Sequence, residues 1–152
     1  MSSITAIVTT FLVAMLPVLE LRGAIPVGVG MGLSPIFSTI ISILGNLTPI
    51  PFILLLLQKI FDWLRDKPPT KKLIAWLETR ADQKRDVVDK YGYLGLMILV
   101  AIPLPGTGAW TGALVASALK MRKKPALLAI TAGVVIAGII VFLITYGTVS
   151  LF

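Results

Sequence analysis

Apolar residues fall in four long blocks, 4–33, 36–57, 94–119 and 126–152, divided by a polar stretch at 58–93 and the basic run KMRKK at 120–124. Blocks 36–57 and 126–148 carry no charge. Each is long enough to cross a hydrocarbon core of about 30 Å as a helix, and both are predicted to be transmembrane.

The other two blocks are interrupted. The first contains LELRGAIPVGVGMGL at 19–33, where Glu20, Arg22, Gly23 and Pro26 stand among apolar residues, with Pro17 just upstream. The second contains AIPLPGTGAWTG at 101–112. Pro103 and Pro105 remove backbone donors and disfavour the helical conformation before them, while Gly106 and Gly108 permit a sharp turn. Irregular backbone at membrane depth is tolerated only where protein buries it or where it lines a wet cavity. Each block is therefore predicted to dip into the membrane and return. The first hairpin is expected to turn near residues 22–26, with helices resuming just after Gly28 and Gly106.

Charge supports this arrangement. The 58–93 stretch holds nine Lys or Arg against six acids, and KMRKK lies beyond the second interrupted block. A single crossing by 94–119 would put the two basic clusters on opposite sides, against the positive-inside tendency; a return places both in the cytoplasm. The expected chain is one all-α integral membrane domain over 1–152. Repeat one (1–57) comprises a re-entrant hairpin at 4–33 and a transmembrane helix at 36–57. Repeat two (94–152) comprises a hairpin at 94–119 and a helix at 126–148, inverted with respect to the first. AIPVG at 24–28 echoes AIPLPG at 101–106, near both predicted tips. Inverted repeats whose broken helices meet near the midplane are the architecture of many secondary transporters.

The stretch 58–93 reads as a cytoplasmic amphipathic linker. Pro68 and Pro69 stop one short helix, Thr70 is an N-cap candidate, and Leu73, Trp76, Leu77, Ala81, Val87, Val88 and Tyr91 form a partial apolar stripe at helical spacing. Its cations are expected to form a solvated face on the membrane surface.

Composition narrows the function. Of 152 residues, 57% are hydrophobic and only 14% charged, and the mean hydropathy is +0.95, outside the range of soluble domains. The net charge of +7 sits in membrane-flanking segments, where orientation and anionic lipid account for it, so nucleic acid is not an expected partner. The chain has no Cys and no His, which removes disulfides, Cys or His metal sites and His-based acid/base catalysis. The start lacks a basic n-region and an A-x-A-like site before Glu20, so the hydrophobic N-terminus is expected to belong to the mature fold.

Glu20 is the one acid outside 58–93, and Arg22 the one base in the first two apolar blocks. Ionisable residues at that depth face a cavity or pair with each other, and a functional role is the default hypothesis. On a regular helix, residues two apart do not face each other, so a direct pair needs local unwinding. An open Glu20 can carry a proton, and Arg22 can hold a phosphate or carboxylate bidentately. Helix N-termini at the hairpin tips add unpaired backbone donors, which makes an anion site. Thr107 and Trp110 offer a hydroxyl and an indole donor. Asn46 either bonds between helices or meets substrate. No metal site and no cofactor are expected. With no nucleophile–His pair, phosphate loop or second carboxylate beside Glu20, an enzyme is not expected either.

The motifs PVLELRGAIPVG (17–28), GNLTPIP (45–51) and AIPLPGTGAWTGAL (101–114) resemble those of the bacterial and archaeal small multidrug export proteins, a family related to the DedA or VTT superfamily. The resemblance runs in order along nearly the whole chain. It implies a compact prokaryotic plasma-membrane protein with two re-entrant hairpins. Its hairpin-tip residues would be Glu20, Arg22, Gly23, Pro26, Pro103, Pro105, Gly106, Thr107 and Gly108. The wider superfamily is associated with movement of lipids, including polyprenyl phosphates, and with dependence on the proton gradient. The chain lacks a clear amphipathic helix before the first hairpin and the extra helices and charges of many DedA proteins.

The leading expectation is a proton-coupled transporter for an amphipathic anion such as a phosphorylated polyprenyl lipid. Efflux of cationic compounds, passive lipid scrambling and a structural role stand beside it. Two spans and two hairpins make a thin wall for a sealed pathway, so a homodimer is expected.

Overall fold

The computed structural model describes residues 2–65, 71–73, 75–76, 79, 88, 90–103 and 107–151. Among these the regular structure is entirely helical. α1 (Ser3–Met15) starts where the Ser2 hydroxyl accepts the N–H of Thr5. It ends because Pro17 cannot continue a helix and forces Leu16 into extended backbone, with ψ 140°. α2 (Glu20–Gly30) follows a short turn, and α3 (Pro35–Leu47) begins with Ser34 as N-cap and Pro35 in the first turn. α4 (Ile50–Arg65) follows after two turn residues and forms one helical stretch with α3, Pro35–Leu64. α5 (Tyr93–Ala101), α6 (Ala109–Ala118) and α7 (Lys123–Leu151) complete the described elements.

Two helical stretches are long and apolar enough to cross a membrane, Pro35–Leu64 and Lys123–Thr148. At 1.5 Å per residue α1, α2, α5 and α6 are each about 20 Å long or less, too short to cross a core of about 30 Å alone. α1, α2 and α3 pack on one another, and α5, α6 and α7 form the other group. The groups meet where α7 lies against α2 and α3, and where α6 lies against α4. Leu21, Ile25, Ile50, Leu96, Val100, Val115, Ile130 and Val134 fill the joint core.

Large apolar side chains lie on the outside of the molecule as well as in its core. Leu12, Ile40, Leu44, Leu55, Leu128, Ile139 and Leu143 are all about half exposed or more, while Thr10, Glu20, Ser38, Ser42 and Asn46 are buried. Water would penalise such a surface, whereas lipid accommodates it, and the polar groups then gather inside.

Two expected boundaries moved. The first hairpin turns at residues 16–19, ahead of Glu20, because Pro17 is the residue that ends a helix. Pro26 instead sits inside α2, where it supplies no N–H to the turn behind it. No helix begins directly after Gly28, since α2 runs through it to Gly30. The predicted span 36–57 lies inside the helical stretch Pro35–Leu64, with two turn residues at 48–49 where Pro49 and Pro51 deprive the ladder of donors, and its second part runs on to Arg65. In the linker, Pro68, Pro69, Thr70, Leu77, Ala81 and Val87 lie outside the described residues. Of the rest of the stripe, Leu73, Trp76 and Tyr91 are exposed and Val88 is buried.

Candidate functional site

The four-residue turn that closes α1 delivers Glu20 in the left-handed region, at φ +48°. Such a conformation in a non-glycine residue costs on the order of 1–3 kcal/mol and persists only where neighbours enforce it. Here the neighbours are on α6. One carboxylate oxygen, Oε2, accepts the N–H of Ala109 at 3.1 Å, and the other, Oε1, accepts the N–H of Trp110 at 3.0 Å. These are the first two donors of α6, whose N-cap, Gly108, has no side chain to accept them. Glu20 thus caps a helix that begins about ninety residues later, and its charge lies on the positive end of that helix.

Gly108 makes the approach possible. Its φ of +121° and ψ of −173° belong to a region that only glycine occupies readily, and a Cβ there would collide with Glu20 Oε2. Arg22 completes the cluster. Its Nη2 donates to the Thr107 carbonyl at 2.6 Å and stands 3.8 Å from Glu20 Oε2. The Thr107 hydroxyl in turn donates to the Ile102 carbonyl at 2.5 Å, drawing the two ends of the 103–106 stretch together.

Two further side chains serve helix ends. Asn46 Oδ1 accepts the N–H of Leu21 at 3.1 Å, in the first turn of α2. The indole N–H of Trp110 donates to the Met15 carbonyl, the last of α1, at 3.0 Å. A cavity of about 10 Å³ is lined by residues that include Glu20, Arg22, Asn46, Pro103, Gly108 and Val134, room for roughly one water. Trp110, α4 and α6 border a separate open apolar groove of about 500 Å³ that includes Val18, Phe52, Leu56 and Leu114.

Of the residues singled out from sequence, Glu20, Arg22, Asn46, Pro103, Thr107, Gly108 and Trp110 converge on this centre. Pro26 does not; it is exposed and borders a separate cleft with Thr145 and Thr148. Gly23 is not among the residues that border the cavity, and a Cβ on it would touch Leu19. Pro105 and Gly106 lie outside the described residues. The helix that presents its N-terminus here starts after Gly108, not Gly106. Sequence reasoning expected free backbone donors at the N-terminus of this helix but not that Glu20 would take those of Ala109 and Trp110, nor that Trp110 would serve the Met15 carbonyl, since residue identity does not say which distant groups meet.

A family model described as small multi-drug export protein matches residues 20–140, from the carboxylate of this centre to the middle of α7. The match covers well over half of the chain, which therefore belongs to that family. The searches of curated proteins and of solved structures returned no match.

Proposed function

We propose that this member of the small multi-drug export family is a proton-coupled membrane transporter in which Glu20 latches the α1–α2 hairpin to the α5–α6 hairpin. The observation that carries the reading is the bidentate hold of one buried carboxylate on the Ala109 and Trp110 N–H groups, with Arg22 beside it. An anion site of helix N-terminus and guanidinium is occupied by an anion of the protein itself. Protonation of Glu20 removes that anion. The α6 donors and Arg22 then become available to a carboxylate or phosphate on an incoming molecule, and the apolar groove beside Trp110 suits the rest of an amphipathic substrate. A phosphorylated polyprenyl lipid is the leading candidate. The hairpins would be re-entrant and the repeats inverted, in the plasma membrane of a prokaryote, with 58–93 cytoplasmic and two copies sealing the pathway.

A second reading is efflux of cationic compounds, favoured by the family's description. There the released Glu20 carboxylate would meet the cation while Arg22 stays on Thr107.

Both are tested by transport into proteoliposomes of a polyprenyl phosphate and, separately, a cationic dye, with and without a pH gradient. Gradient-driven movement of the phosphate lipid, abolished by Glu20→Gln and by Arg22→Ala, is the expected result. Movement of the dye alone selects efflux. Equilibration indifferent to the gradient and retained in Glu20→Gln selects scrambling, and no movement of either selects a structural role.

A further inference from the structure

On α3, Ser38, Ser42 and Asn46 recur every fourth residue, so they form one line with steps of about 6 Å along the helix. Each is at most 1% exposed, while Ile36, Phe37, Ile40 and Leu44 of the same helix face outward. The line follows α2 in antiparallel register: the Ser38 hydroxyl donates to the Ile25 carbonyl at 2.8 Å, and Asn46 accepts from Leu21 at 3.1 Å. It ends at the one-water cavity that Asn46 shares with Glu20 and Arg22.

Two groups on this line, Ser42 Oγ and Asn46 Nδ2, have no partner among the described residues. A buried polar group left so costs about 1–3 kcal/mol, and folded proteins relieve the cost with ordered water. Hydroxyls that merely serve a helix bond back to the carbonyl four residues earlier, as Thr10, Thr39 and Thr48 do here. Ser42 does not. At the far end, the hydroxyls of Ser38 and Thr10 converge over Gly28, one turn inside the exposed N-cap Ser34.

We propose that this line is a hydrated path through which water and protons reach Glu20 from the face that carries the α2–α3 turn. A proton from bulk water passes along water molecules; the Ser42 hydroxyl takes one on its lone pair and releases its own. The Asn46 amide donates a hydrogen bond that holds the last water without itself carrying a proton. The Glu20 carboxylate receives the proton, so bulk hydronium and carboxylate become water and carboxylic acid. Arg22 is the charged group that faces this carboxylate. Naming the proton as cargo rests on the transporter reading; the path itself is tested without transport.

The chain has no cysteine, so Ser42→Cys or Ser38→Cys introduces a sole thiol that differs from serine by one atom. A cysteine binds a soft metal ion tightly as its thiolate, and a thiolate forms where water reaches it. The full chain, reconstituted in vesicles, is exposed to silver ion, then denatured and alkylated with a maleimide; blocked alkylation marks a wetted thiol. Ile40→Cys, on the outward face of the same helix, is the control. Both serine positions are expected to be blocked at least tenfold faster than position 40. Equal slow rates at 42 and 40 would overturn the path. Ser38→Cys reports on the same line independently, so loss of one variant to misassembly leaves the other decisive. Rapid blocking together with unimpaired transport by Glu20→Gln would uphold the path and refute Glu20 as the coupling residue. Slow blocking with transport lost in Glu20→Gln would do the reverse.

Discussion

The Glu20 carboxylate and the Trp110 backbone N–H, ninety residues apart in the chain, meet at 3.0 Å, and through them the two helical hairpins are tied together. Because that bond is both a helix cap and a buried charge contact, its removal tests the architecture as well as the chemistry.

Glu20→Gln keeps the shape but leaves α6 a neutral cap, which is expected to cost about 1–2 kcal/mol. Glu20→Ala, which takes the acceptor from the Ala109 and Trp110 N–H groups and the counter-charge from beside Arg22, is expected to cost about 3 kcal/mol or more. Unfolding of the reconstituted protein by a denaturing detergent should rank native above Gln above Ala. An Ala variant as stable as native would show that the latch contributes nothing to the fold.

Gly108→Ala is expected to displace Glu20, since the new methyl collides with Oε2 and the backbone conformation is strained as well. Gly32, also at positive φ (+99°), has open space around its missing Cβ, so Gly32→Ala should suffer backbone strain of about 1–3 kcal/mol alone. Transport lost in the first variant and retained in the second is the predicted contrast. Similar transport in both would argue against a collision at the carboxylate.

Arg22→Lys keeps the charge but loses the planar fork that reaches the Thr107 carbonyl while standing beside Glu20. The folded protein should survive, with substrate movement slowed about tenfold, the equivalent of about 1.4 kcal/mol. Wild-type rates in the lysine variant would mean that only net charge matters at this position.

Trp110→Phe removes the donor to the Met15 carbonyl but keeps a ring at the groove and the backbone N–H on Glu20. A stability loss of about 1 kcal/mol is expected, with transport within a few fold of native. Transport abolished at unchanged stability would instead assign the indole N–H to substrate.

Gly45→Ala places a methyl 2.5 Å from the Phe11 carbonyl, a backbone atom that cannot swing aside. α1 and α3 must separate, at an expected cost of about 1–3 kcal/mol, although position 45 touches neither charge. A neutral change in unfolding midpoint would indicate that the two helices can shift freely.

Residue identity alone determined a good deal of this protein. The length and apolarity of 36–57 and 126–148 mark helices long enough to cross a membrane because hydrocarbon thickness sets a minimum run, and the prolines mark the interruptions because a missing N–H is a local property. The expense of a charge in lipid made Glu20 and Arg22 candidates before any contact was known. Which proline ends a helix and which is absorbed into one was not legible: Pro17 breaks the chain and Pro26 does not, since the outcome depends on what surrounds the freed carbonyls. The partner of Glu20 was equally hidden. It is a pair of backbone N–H groups about ninety residues away, and backbone donors are the same in every sequence, so only the packing of α6 against the first hairpin could select them.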